Sequence, residues 1–244
     1  MNPSPRAFRW RSGGATNTGK IRQINQDAFL DRPDLGLWAV ADGMGGHSAG
    51  ERASHLLVEQ LGRLGHFELL GAAVEGIRQT LGEVNGQLLR EARALGRDLI
   101  GSTIVILTAI GDHCAILWVG DSRAYRLRQG HFAQLTTDHT QVQQMLAQGL
   151  LTTEQARHHP WAHVLARAIG GDTELNVDYH LEALRDRDRF LLCSDGLDKE
   201  LDPDEIARIL AIPEPAPTAQ ALIAAACNAG GRDNITALVV DFFR

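Results

Sequence analysis

The chain has 244 residues, 44% of them hydrophobic and 22% charged, with a formal net charge of −6. That length and apolar content suffice for a sizeable buried core, and the acidic balance excludes a surface built to coat nucleic acid, which needs a basic face. No apolar run is long enough to span a bilayer, and the first residues lack the apolar segment of a secretory leader.

Phe8, Trp10 and Ser12 alternate with Arg9 and Arg11, predicting a half-buried first strand, and Gly13-Gly14 and Asn17-Thr18-Gly19 read as a loop. Ala28-Phe29-Leu30 predicts a second strand and Arg32-Pro33-Asp34 a turn. Leu37 to Ala41 predicts a buried strand that stops on Asp42, followed by a glycine-rich turn from Gly43 to Gly46. Ala53, Leu56, Leu57, Leu61 and Leu64, and then Ile77, Leu81, Val84 and Leu88, keep helical spacing, with Gly96 marking the exit of the second helix.

Ser102 to Ile110, Cys114 to Val119, Ala124 to Arg128 and His131 to Leu135 predict an antiparallel meander, with Gly111-Asp112 and Gln129-Gly130 as turns. Thr136 to Gly171 is polar, rich in Gln and His, and reads as an insertion over the sheet rim, with short helical pieces at Val142 to Ala147 and Thr153 to Arg157. Asn176 to Leu181, Arg189 to Cys193 and Ile235 to Asp241 predict strands. Pro203 to Leu210 and Ala219 to Ala229 predict helices joined by a loop holding Pro213, Pro215 and Pro217. With no repeat or linker, the expectation is one α+β domain over residues 1–244: a four-layer α-β-β-α sandwich, two antiparallel sheets face to face with helix pairs outside. Cys114, Cys193 and Cys227 lack C-x-x-C spacing, so they read as free thiols of a reducing cytoplasm.

Four apolar strands carry an aspartate at one end beside glycine or a small residue: Asp42, Asp121, Asp195 and Asp233. A single Asp-Gly is a turn signal; four strand-end carboxylates point to a cluster at one rim of a sheet. Oxygen-only ligands favour hard divalent ions, and crowded carboxylates repel one another unless cations lie between them. Two such ions can share and acidify a water while clamping a phosphoryl oxygen. An arginine can hold the remaining phosphate oxygens. Arg22, just before Asp27, is the candidate, although from spacing alone a solvated surface charge is the plainer reading. Gly45 to Gly50 has the outer spacing of a P-loop, but Glu51-Arg52 stands where Lys-Ser/Thr is required, and neither G-x-G-x-x-G nor G-x-S-x-G occurs.

The ordered set Arg22-x-x-Asn25-Gln26-Asp27, Val40 to His47, Gly101-Ser102-Thr103, Gly120-Asp121-Ser122-Arg123, Asp138-His139-Thr140, Ser194-Asp195-Gly196-Leu197 and Asp233-Asn234-Ile235-Thr236 resembles the type-2C (PPM) metal-dependent protein serine/threonine phosphatases in their compact bacterial form. The resemblance runs from about Gly19 to Val240. It implies dephosphorylation of phosphoserine and phosphothreonine in proteins by a metal-bridged hydroxide, opposite a bacterial Ser/Thr kinase in signalling. It implies two Mn²⁺ or Mg²⁺ ions, with Asp42 bridging them, the Gly43 carbonyl on one, and Asp195 and Asp233 on the other. Arg22 would hold the substrate phosphate, Asp121 would lie near a third ion, and Gln26, Asp27 and Asn234 would support the ligands. Residues 136–171 would be the family's flap, and the enzyme would act as a monomer without nucleic acid or membrane.

Three positions depart from the family pattern. Gln26 stands where many relatives have Glu, Lys199 where many have an Asp for the third ion, and Met44 where some have a histidine. A metal-bound water or His47 could serve as general acid, His47 reading equally as a structural residue at the helix start, and His139 is given no catalytic role. Gln26 and Lys199 motivate an alternative, a binding module on the same fold. A hydrolase for small phosphoesters is a third reading, for which the sequence offers no nucleotide-binding feature.

Overall fold

The computed structural model describes residues 8–45, 48–157, 159–161 and 164–244. The elements are β1 (Arg9–Asn17), β2 (Asp27–Arg32), β3 (Leu37–Met44), α1 (Ser48–Gly62), α2 (Leu70–Ala94), β4 (Gly101–Ser102), β5 (Ile104–Ile110), β6 (His113–Val119), β7 (Arg123–Arg128) and β8 (His131–Gln134). They continue with α3 (Gln141–Ala147), α4 (Thr153–Arg157), β9 (Asp178–Ala183), β10 (Arg189–Cys193), α5 (Asp195–Asp198), α6 (Pro203–Ile209), α7 (Pro215–Ala229) and β11 (Ile235–Phe243). One sheet has the order β1-β11-β10-β7-β8, and the other β2-β3-β5-β6-β9 with β4 against β3.

The central strands are apolar throughout because both of their faces are buried. In β5, Ile104 and Ile106 pack toward α1 and α2, while Val105, Leu107 and Ala109 pack between the sheets. In β11, Leu238, Val240 and Phe242 join that inter-sheet layer, while Ile235, Ala237 and Val239 pack toward α5, α6 and α7. Period-two alternation therefore produces three apolar layers and the α-β-β-α sandwich. Trp38, Trp10 and Phe242 meet edge-on between the sheets, at centroid distances of 5.8 to 5.9 Å.

Four local expectations are corrected. Gly13 and Gly14 lie within β1, not in a loop. A Cβ on Gly13 would come within 2.5 Å of the Ala216 backbone in α7, and one on Gly14 within 2.6 Å of Phe29, so these glycines permit close packing. Residues 102–135 form no single meander: β6 is flanked by β5 and β9, which leaves it no free edge, and β7 pairs with β10 in the other sheet. Pro215 begins α7 rather than ending a loop, since a first-turn proline sacrifices no helical hydrogen bond. Finally, β3 runs on through Asp42 to Met44, because Gly43 and Met44 pair with Ser102 and Gly101 of β4.

Candidate active site

Antiparallel register gathers the acidic strand ends. Asp27 at the start of β2 pairs with Asp42 near the end of β3. Asp195 follows the end of β10, and Asp233 precedes the start of β11, its antiparallel neighbour. Asp121 lies in the crossing from β6 to β7. The result is a cleft of about 530 Å³ walled by Arg22, Gln26, Asp42, Gly43, Asp121, Asp195, Asp233 and Asn234, with Met44, Leu99 and Leu165 at one side. The structure thus brings all four strand-end aspartates together with Arg22.

Each acid is held from the backbone upward. The Asp42 carbonyl accepts from the Thr103 amide and from Ser102 Oγ, both at 2.9 Å. Asp27 Oδ2 accepts from Ser194 Oγ and Thr236 Oγ1, each at 2.7 Å. Arg22 grips Asp233 through Nε at 2.9 Å and Nη2 at 3.0 Å. Lys199, one helical turn after Asp195, pairs with Asp195 Oδ2.

Asn234 fastens the Arg22 loop to the start of β11. Its Oδ1 accepts from the Gln26 amide at 2.8 Å, and its Nδ2 donates to the Thr18 and Ile24 carbonyls at 2.9 and 3.0 Å. Gly43 and Gly50 lie back to back, so the first turn of α1 rests directly on β3. A Cβ on Gly50 would stand 2.7 Å from the Gly43 carbonyl group, and it would also overlap the Gln26 side-chain amide. Arg123 joins Asp138 and Asp198, each at 2.7 Å, tying residue 138 to α5 beside the cleft.

The electrostatics fit a cation centre. Burial pushes Asp27 up to about 7, with the Ser194 and Thr236 hydroxyls opposing and Asp195 and Asp233 adding to the rise. Asp121 rises to about 7 through burial and then Asp195, and Asp42 rises well above the carboxylate range through burial, Asp27 and Asp195. Asp27 Oδ1 and Asp195 Oδ1 are buried without a hydrogen-bond partner. Among the described residues no three His, Cys, Asp or Glu side chains close a cage by themselves. Hard ions of the magnesium type, however, are held by one or two carboxylates and complete their shells with water. The donor set, with its orphaned oxygens, fits such ions.

His139 is buried, accepts from the Gly120 amide at 3.2 Å and stacks on Trp118, which is a structural role. His47 and Gly46 lie outside the described residues. Cys114 and Cys193 are buried free thiols, and Cys227 is a half-buried one. The sequence reading gave no role to Thr103, Ser194, Thr236, Leu99 or Leu165. Ser194 and Thr236 could have been found, because each stands in a motif whose aspartate was singled out. Leu99 and Leu165 carry no local signal.

Residues 19–227 match the family described as Protein phosphatase 2C, and the chain belongs to that family. It is 35% identical over 95% of its length to the serine/threonine protein phosphatase PstP of Mycobacterium tuberculosis, spanning 45% of that protein. It is 34% identical to the serine/threonine phosphatase stp of Listeria monocytogenes, covering 93% of each chain. Among solved structures, PppA, described as a key regulatory component of T6SS in Pseudomonas aeruginosa, superposes with a TM-score of 0.90 at 40% identity, over 96% of this chain and 98% of that one. The catalytic domain of PstP, in complex with two manganese ions, superposes with a TM-score of 0.86 at 32% identity, over 97% of this chain and all of that one.

Proposed function

We propose that this protein is a protein serine/threonine phosphatase that removes phosphate from phosphoserine and phosphothreonine in proteins with the help of two Mn²⁺ or Mg²⁺ ions. The observation that carries the reading is the convergence of Asp42, Asp121, Asp195 and Asp233 with Arg22 on one cleft.

Asp42, the Gly43 carbonyl, Asp195 and Asp233 would hold the ions, and Asp121 would flank them. When bound, the ions supply Lewis acidity and acidify water at neutral pH. Arg22 presents a planar fork to the phosphate and exchanges its contact with Asp233 for phosphate oxygens. Asn234 keeps the Arg22 loop in register with Asp233, and Asp27, locked by Ser194 and Thr236, adds negative charge beneath Asp42.

We read residues 1–244 as one catalytic domain with residues 136–171 as the flap beside the cleft. We place the enzyme in the cytoplasm, acting as a monomer in signalling, opposite a Ser/Thr kinase. Three free cysteines support the compartment, and among the described residues no helix is long and apolar enough to cross a membrane.

The test is p-nitrophenyl phosphate hydrolysis titrated with Mn²⁺ and Mg²⁺ and repeated in EDTA. Turnover that needs metal and falls at least about a hundredfold in Asp42→Asn supports the reading. Activity retained by a folded Asp42→Asn protein sinks it.

A further inference from the structure

Two cavities meet beneath Leu165. The carboxylate cleft and a neighbouring groove of about 440 Å³ share Met44, Leu99 and Leu165 in their walls. The groove is also lined by the apolar Val119 and Leu175 and by the acids Asp98, Asp172 and Glu174. Met44, Leu99 and Leu165 are half-buried, so their apolar surfaces are available from the groove. Asp98 and Glu174 are exposed, and among the described residues neither takes part in an ion pair. Arg167, which also lines the groove, is held by Asp178 at 2.9 Å.

The opposite side of the cleft differs. The cavity past Asp121 and Asp195 is walled by Arg123, Asp138, Asp198 and Lys199. Most of its charges are joined, Arg123 to Asp138 and Asp198, Lys199 to Asp195 and Glu200 to Arg232, while the exposed Asp202 caps α6 through the Glu205 amide. A polypeptide laid across the cleft meets mostly paired or capping side chains on that side, and apolar side chains with the open acids Asp98 and Glu174 on the other.

A phosphoserine or phosphothreonine in a protein arrives as part of a chain that advances about 3.3–3.6 Å per residue when extended. Its neighbours on either side must lie against surfaces beside the cleft, of which these two cavities adjoin it. We propose that the groove from Met44 to Glu174 seats the substrate chain on one side of the phosphoresidue, taking an apolar side chain against Leu99 and Leu165 and a lysine or arginine at Asp98 and Glu174. The proposal rests on the phosphatase reading above. Burying the apolar side chain is favourable, and the acids that line the groove supply complementary charge.

The experiment compares kcat/KM for synthetic phosphothreonine peptides that carry Leu-Lys or Leu-Glu on either side of the phosphoresidue. p-Nitrophenyl phosphate, which reaches no further than the phosphate cleft, is run alongside. The Leu-Lys peptide should be preferred by roughly fivefold on one side. In the Asp98→Asn/Glu174→Gln double variant, whose sites are both exposed, that ratio should fall toward one. Replacing the peptide's Leu by Ala should cost the wild type about tenfold and Leu165→Ala much less.

Equal rates for basic and acidic flanks on both sides, with p-nitrophenyl phosphate turned over normally, would overturn the groove and leave the phosphatase standing. A preference that survives the double variant unchanged would overturn it too. No metal-dependent turnover of p-nitrophenyl phosphate would overturn both readings.

Discussion

Lys199 and Asp195, four residues apart at the start of α5 and just after it, form an ion pair inside the acidic cleft. The ammonium is held charged by Asp195, Asp121 and Asp233 despite its burial. It therefore competes with any added cation for the Asp195 carboxylate. Lys199→Met should tighten Mn²⁺ binding on the order of tenfold, measured by titration calorimetry on protein stripped with EDTA. Unchanged affinity would show that the two cations do not compete.

The raised carboxylates fix the pH behaviour of the metal-free protein. Asp27 and Asp121 titrate near 7 when folded, against about 3.9 for an unfolded aspartate. Between those values the folded state binds more protons than the unfolded one, so stability is fully present below about 4 and is lost as pH rises toward 7. The metal-free protein should be a few kcal/mol more stable at pH 5 than at pH 8, read as Tm by calorimetry. Saturating Mn²⁺ should remove most of that difference, and Asp42→Asn should shrink it by relieving the repulsion.

The contact between Gly43 and Gly50 leaves no room for a methyl group. Gly50→Ala should lift α1 from β3, costing about 2–3 kcal/mol by urea denaturation. It should also move the Gly43 carbonyl and weaken Mn²⁺ binding. A variant with a wild-type urea midpoint would mean that the helix shifts freely.

Asn234 makes three hydrogen bonds to the backbone of residues 18–26. Asn234→Ala should cost about 3 kcal/mol at roughly 1 kcal/mol per bond. The loosened Arg22 loop should raise KM for p-nitrophenyl phosphate more than it lowers kcat. A fall confined to kcat would place Asn234 elsewhere in the chemistry.

The acidic strand ends were legible because an aspartate closing an apolar run is a local pattern. Their meeting follows once neighbouring strands are antiparallel, as Asp27 and Asp42 show. What was not legible depends on distant partners. Ser194 and Thr236 lie 167 and 209 residues from the Asp27 carboxylate they hold. Gly13 and Gly14 look like a loop until α7 and Phe29 are laid against them. The division of β6 and β7 between sheets depends on β9, which joins the edge of β6 some sixty residues later in the chain. Arg22 was weak as sequence and becomes specific only through Asp233, 211 residues away.

That last separation bears on how the protein is made. Arg22 and Asp233 lie 211 residues apart, and β1 pairs with β11. A ribosome delivers Arg22, Asp27 and Asp42 well before the residues next to β11 that complete the cleft. A nascent or prematurely terminated chain that stops before Asp233 therefore carries the opening motifs with nothing to act through. Assembly of the cleft is therefore tied to synthesis reaching Asp233, and a copy that stops short of it lacks the partner that holds Arg22.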